Sequence, residues 1–331
     1  MENRTITGIP GLLAGHTTDL ENRTGCTAIL CPQGFTPGVA LPGFAPGSRE
    51  TDLLRPESSV DAVHGILFAG GSAFGLAAAD GVIRFLRERG IGFAMPHAVI
   101  PLVPGAVIYD LDMNRKAGSL PDAAMGYAAA VAASDAPLAE GAVGAGTGAR
   151  CGRLFSMGNG PDYTEKSGLG SALLEWKGIQ VAALVVVNAL GNIHDPVSGA
   201  FLAGGRDATG RPFGRDAMLT AVAGENLPQS NTVLTLVATN APLDKVQATR
   251  LARMAGTGLA RSIVPAHLAY DGDIVFALAS KQPLPVGVGN WTDSLLGTLG
   301  AEAVALAAAR SSHTCISRHK APSKKLLFGS S

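Results

Sequence analysis

The sequence predicts an α/β fold rich in glycine. Two observations carry this. Apolar runs of strand length alternate with Ala-rich segments of helical period. Glycine fills 43 of 331 positions, about 13 % against a usual ~7 %. The glycines follow no collagen-like period and cluster beside the apolar runs, which suits tight turns and closely packed layers. In chain order, residues 65–69 (Gly-Ile-Leu-Phe-Ala) read as a buried strand. Residues 72–89 read as a helix, with Phe74, Ala77, Ala78, Val82, Phe85 and Leu86 near helical spacing and Gly90 closing it. Residues 121–133 are a second helix candidate and 168–174 a short one, followed by a strand over 181–187. A polar loop, residues 225–230, leads into Thr232-Val-Leu-Thr-Leu-Val-Ala238, which alternates as a strand does and runs to Thr239. Asn240-Ala241-Pro242 signals a helix start, and Leu243, Val246, Leu251, Met254 and Leu259 carry that helix to about Arg261. A strand follows at 274–279, then an Ala/Leu-rich final helix over 291–310. No Pro/Ser-rich linker divides the chain. The expectation is one domain, 1–331, in which the pieces before and after residue 231 share a core.

Composition narrows the function. Hydrophobic residues make up 47 % and charged ones 16 %, so a large core is available. The 26 basic and 26 acidic residues balance, which leaves no basic field for a phosphate backbone and argues against nucleic acid as partner. The basic stretch His319–Lys325 is short and reads first as a solvated tail. The four cysteines (Cys26, Cys31, Cys151, Cys315) include no Cys-x-x-Cys pair, and residues 1–5 lack the form of a signal peptide. The apolar run 181–187 is far too short to span a bilayer. A reducing, cytoplasmic setting without membrane contact is expected.

The chemistry centres on Asn231-Thr232. A small hydroxyl residue directly after a turn, opening a buried strand, suits a self-cleaving hydrolase. Cleavage before Thr232 frees its α-amine, which then takes the hydroxyl proton, so one residue supplies nucleophile and base. By itself the pair also reads as the turn chemistry that opens many strands. Asp271 and Asp273 are two apart before the strand at 274–279. In an extended segment both carboxylates face the same way, whereas Tyr270-Asp-Gly-Asp273 also fits a hairpin turn. Two carboxylates alone are thin evidence for a metal.

Further motifs recur in order: Gly15-His-Thr-Thr-Asp19, Gly70-Gly-Ser-Ala-Phe-Gly-Leu76, Val103-Pro-Gly-Ala-Val-Ile-Tyr-Asp-Leu111, Gly126-Tyr127, Lys166-Ser-Gly-Leu-Gly-Ser-Ala172, Val187-Asn-Ala189, Asn231-Thr232, Val237-Ala-Thr-Asn-Ala241 and Asp271-Gly-Asp273. In this combination the chain resembles the DmpA family of self-processing N-terminal-nucleophile hydrolases. That family includes L-aminopeptidase/D-amidase/D-esterases, β-aminopeptidases and nylon-oligomer hydrolases, with ornithine acetyltransferases as distant relatives. The resemblance implies a four-layer α/β/β/α sandwich, self-cleavage into 1–231 and 232–331, and amide hydrolysis through Thr232. It requires no cofactor and no metal. It implies a small peptide or amide substrate and, by analogy, a homotetramer of processed pairs. Asn188 and Tyr127 would support the oxyanion, and Lys166 would line the site. Asp271 and Asp273 would orient Thr232, paired aspartates being the nylon-oligomer-hydrolase pattern where β-aminopeptidases carry Ser and Glu. Gly71 and Ser72, at a strand–helix junction, would offer N–H groups to a substrate. Aminopeptidase members carry an acid shortly before the tyrosine to hold the substrate ammonium. Met125 and Gly126 stand there instead, which argues for a substrate without a free amine beside the scissile bond.

Four rivals follow from the same residues. A serine hydrolase would use Ser72, although Phe74 replaces the last glycine of Gly-x-Ser-x-Gly and His97, His194, His267 and His313 are equally eligible partners. Gly144-Ala-Gly-Thr-Gly-Ala149 fits a dinucleotide fingerprint, but the Gly-rich 150–162 that follows is not helical in pattern. An unprocessed binding oligomer and an acyltransferase to an amine complete the set.

Overall fold

The computed structural model describes residues 3–113, 118–155, 163–224, 231–284 and 290–316, with the side chains of 313–316 left aside. The loop 225–230, the basic stretch 319–325, part of the Gly-rich 150–162, and the side chains of His313 and Cys315 lie outside the described residues.

One long strand organises the rest. β1 (Leu13–Asp19) and β2 (Thr24–Ala40) pair antiparallel, and β2 then pairs with β3 (Val63–Ala69), which lies parallel to β4 (Gly105–Val107). The register of β2 shifts between Leu30 and Phe35, where Pro32 interrupts the ladder and Gly34 has φ +77°. Beyond this bend the same strand pairs through Thr36 to Ala40 with a second set. That set comprises β5 (Leu169–Trp176), β6 (Ile179–Asn188), β7 (Thr232–Thr239) and β8 (Ile274–Ala279), in the order β5-β6-β7-β8-β2.

Alternation of side chains sorts the core into three apolar slabs. Ile29, Ile66, Phe68, Ala106 and Ile108 from the first half-sheet meet Leu184, Val186, Leu234, Leu236 and Phe276 from the second. Ala28, Leu30, Leu67 and Ala69 face outward onto α1 (Ala78–Arg87) and α2 (Ala123–Val131). Val185, Val187, Val233, Val237 and Val275 face the other way onto α3 (Lys245–Gly256) and α4 (Asp293–Ile316). The layers are therefore helix, sheet, sheet, helix, the arrangement the resemblance implied. Strand β7 lies between β6 and β8, so residues on both sides of position 231 build one core. α3 is the crossover that joins the parallel strands β7 and β8.

Three expectations need correction. Residues 168–174 form strand rather than helix. Lys177 (φ +50°) and Gly178 (φ +81°) make a two-residue hairpin turn that pairs β5 with β6, and the small residues of Gly168–Ala172 carry no period of their own to oppose it. Residues 72–89 are not one helix: a 3-10 segment, Ser72–Ala77, precedes α1. α3 starts at Lys245, behind an Asp244/Gln247 capping box that outcompetes the earlier Asn-Ala-Pro signal. No helix among the described residues is long and apolar enough to cross a membrane.

Candidate active site

The first residue of β7 is Thr232. Leu234, Leu236 and Ala238 face the slab between the sheets, so Thr232 shares that face at the strand's open end. Asn188 is its antiparallel partner, and it follows Leu184 and Val186 on the same face of β6. The loop before β8 closes over this end. Asn231 bridges Asp271, and the Gly272 N–H donates to the Asn231 carbonyl at 2.7 Å. The Thr232 hydroxyl donates to the same oxygen at 2.7 Å. The peptide carbonyl preceding the nucleophile candidate is thus polarised from two directions, and Asn231 and Thr232 are 1 % and 6 % exposed. A Cβ on Gly272 would fall 2.6 Å from Thr232 Oγ1, so only a glycine fits beneath that hydroxyl.

The aspartates divide the work of holding this loop. Asp273 accepts the Val233 N–H at Oδ1 (2.7 Å), and Oδ2 meets His267 Nδ1 at 2.8 Å. Asp271 accepts the Leu268 N–H at 2.7 Å, while its backbone oxygen takes the N–H groups of Phe44 and Ala45. Burial, and then the charge of Asp273, push the Asp271 carboxyl up to about 7, so it exchanges a proton near neutrality. The bond to Asp273 raises the pKa of His267 against the opposing effect of burial.

The sign of the pH effect follows. An unfolded aspartate titrates near ~3.9. Folding therefore carries no penalty from Asp271 below that pH and an increasing one up to about 7. The stability His267 adds is likewise lost as pH rises through its raised pKa. Asp271→Asn should then gain thermal stability relative to the parent between pH 5 and pH 8. A parallel pair of denaturation curves at the two pH values would contradict this.

Asn188 is fully buried. Its Nδ2 donates to the Tyr109 carbonyl at 3.0 Å and its Oδ1 accepts the Arg150 N–H at 3.2 Å, which fixes the amide's orientation and leaves its second N–H uncommitted among the described bonds. Lys166 aims its ammonium at the carbonyls of Gly146 (2.9 Å), Ala149 (2.8 Å) and Ser167. Those bonds secure the 146–150 loop, whose Arg150 N–H in turn holds Asn188.

Two expectations are corrected here. Tyr127 does not join the group. It lies on α2, where its hydroxyl donates to Glu88 at 2.7 Å and its ring packs edge-on to Phe85, beneath Arg84. Gly126 fits only because α2 crosses α1 so closely that a Cβ there would sit 1.8 Å from the Ala78 carbonyl. A whole β-layer thus separates Tyr127 from Thr232. The Gly71 and Ser72 N–H groups are not open to a substrate either. The first donates to Asp110 Oδ1 (2.7 Å), whose carboxyl burial pushes up to about 6, and the second to the Ile108 carbonyl (2.9 Å). Ser72 itself, at φ +52°, lines a cleft of about 420 Å³ with Ala45, Pro46, Tyr109, Thr232 and Tyr270. No ionised side chain lines it among the described residues. The sequence did not single out His267 or the Gly272 N–H. A histidine six residues before Asp273 was the available signal.

This fold has known counterparts. A β-aminopeptidase of Burkholderia sp. superposes with a TM-score of 0.64 at 25 % identity, covering 94 % of this chain and 85 % of that one. The L-aminopeptidase D-Ala-esterase/amidase of Ochrobactrum anthropi, described as a variant of the Ntn hydrolase fold, superposes with a TM-score of 0.66 at 20 % identity, covering 95 % and 86 %. The fold is thus of the Ntn hydrolase kind, and the class is a hydrolase of peptide or amide bonds. The model of Peptidase family S58 matches residues 4–318, and the chain belongs to that family. It is 41 % identical over 292 residues to an uncharacterized aminopeptidase of Mycobacterium tuberculosis, covering 83 % of this chain and 81 % of that protein. It is 32 % identical over 305 residues to the 6-aminohexanoate-oligomer endohydrolase of Paenarthrobacter ureafaciens, covering 90 % and 80 %.

Proposed function

We propose that the chain cuts its own Asn231-Thr232 bond and then, with the freed Thr232, hydrolyses internal amide bonds of small uncharged peptides or oligoamides. The observation that carries this is the Asn231 carbonyl oxygen, which accepts from both Gly272 N–H and Thr232 Oγ1–H. In the first reaction Oγ1 bonds to the Asn231 carbonyl carbon, the C–N bond breaks, and the hydroxyl proton ends on the departing Thr232 nitrogen. Water then hydrolyses the ester, leaving an Asn231 carboxylate and a Thr232 amine. Both pieces stay together because β7 pairs with β6 and β8 pairs with β2, each across the cut.

In turnover the amine, with an unperturbed pKa of about 8, takes the Oγ1 proton as the oxygen attacks the substrate carbonyl. The Gly272 N–H, released from Asn231, and the second N–H of Asn188 would support the oxyanion. The leaving amine takes the proton back, and water releases the acyl group. No step draws on a metal or cofactor. The proposal extends to a cytoplasmic homotetramer of cleaved pairs; Cys26 and Cys31 are buried thiols, which suits a reducing compartment.

Relatives named as aminopeptidases and as an oligoamide endohydrolase leave the substrate class open. The cleft favours the second, because among the described residues no carboxylate lines it to meet a substrate ammonium. An N-acylated oligoamide should show a kcat/KM about tenfold or more above that of the matching free-amine aminoacyl amide. The reverse preference would establish aminopeptidase specificity instead. Ser72 keeps a claim as rival nucleophile because its left-handed φ places it in the same cleft.

A further inference from the structure

His267 touches neither the cleft nor Thr232, yet it closes a chain of contacts that ends beside the nucleophile candidate. The Asp273 carboxylate has two oxygens, and each has one partner: Val233 N–H on Oδ1 and His267 Nδ1 on Oδ2. Because an ionised carboxylate only accepts, Nδ1 carries the hydrogen. Val233 N–H belongs to the residue directly after Thr232, so the position of Asp273 sets where β7 begins. Asp273 is 2 % exposed and has no solvent to orient it in place of His267. The histidine itself sits at φ +57°, a left-handed conformation that costs a non-glycine residue energy and persists only where the surroundings hold it. On its other side His267 borders a cavity of about 790 Å³ whose charged walls are Arg55, Glu57 and Arg253. On the near side the charged groups are Asp271 and Asp273.

We infer that His267 is a positioning residue of the Thr232 site: its Nδ1–H holds Asp273 so that the carboxylate fixes the Val233 amide and, through it, the direction of the Thr232 hydroxyl and amine. The inference rests on the reading of Thr232 as nucleophile. His267 is not a proton carrier in it, because the only groups it meets by hydrogen bond in the described structure belong to Asp273, which in turn meets backbone.

Two substitutions separate this role from simple scaffolding. His267→Gly removes the donor and also relieves the strain at φ +57°. His267→Asn suits that φ and returns an amide N–H close to where Nδ1 stands. Chain cleavage and amide hydrolysis are read together on the purified full chain, with kcat counted per cleaved chain. His267→Gly should lower kcat by about 10- to 100-fold, as misplacement of a reacting group does, with KM within about twofold, and His267→Asn should recover most of the loss. A parental kcat in His267→Gly overturns the inference, and so does an equal loss in both variants. Thr232→Ala is measured beside them. If it keeps its turnover, the nucleophile assignment fails, whereas an inactive Thr232→Ala with a fully active His267→Gly defeats the positioning role alone.

Discussion

Thr232→Ala should leave the chain in one piece and reduce amide hydrolysis by about 10³-fold or more, the scale of losing a catalytic nucleophile. The side chain is 6 % exposed and its one hydrogen bond in the described structure goes to the carbonyl it would attack, so its removal opens a very small cavity and spares the strand pairing of β7. The fold should survive, and the loss is therefore chemical. Thr232→Ser keeps the hydroxyl and should keep both reactions. Ser72→Ala is the informative companion. It should still cleave between residues 231 and 232, because the Ser72 N–H, which donates to Ile108, survives the substitution. If Ser72→Ala abolished acyl-enzyme formation while Thr232→Ala retained it, the roles would be exchanged.

The second large effect is expected at a residue with no side chain. In Gly272→Ala the new methyl would lie 2.6 Å from Thr232 Oγ1 and 2.6 Å from the Ala45 carbonyl oxygen. Neither neighbour can retreat cheaply. The Ala45 backbone is tied by its N–H to Asp271, and Thr232 sits at the anchored start of β7. The hydroxyl must turn away, and the Gly272 N–H moves off the Asn231 carbonyl with it. Overpacking of this kind costs about 1–3 kcal/mol of stability, which a chain with this core tolerates. Misplacing the attacking oxygen by about an ångström slows chain cleavage and turnover by about 100-fold. A Gly272→Ala protein that cleaves itself and turns over at parental rates contradicts the placement of that loop beneath Thr232.

The parts of this site that were legible in the sequence are those with a local signature. Thr232 opens an alternating run, and Asp271 and Asp273 precede a second apolar run of strand length; both strands form at the expected positions. Asn188 ends the most apolar run in the chain, and the pairing of β6 with β7 brings it opposite Thr232. Tyr127 was recognisable as a helical residue, but which layer a helix packs against is decided by contacts far apart in sequence, here α1 on α2. The same limit hid the role of His267, because its bond to Asp273 depends on a left-handed turn that no residue pattern announces. Gly71 and Ser72 marked a real strand–helix junction, yet their N–H groups were consumed by Asp110 and Ile108, which arrive from another strand's end. The small residues of 168–174 fit either period, and the hairpin turn that decides for strand lies downstream at Lys177-Gly178.

Intact-mass spectrometry of the purified, active protein observes cleavage of the Asn231-Thr232 bond directly. The expected spectrum holds two chains whose masses sum to that of the full polypeptide plus one water, the shorter beginning with Thr232. A single uncut mass in a preparation that hydrolyses amides at full rate would contradict it.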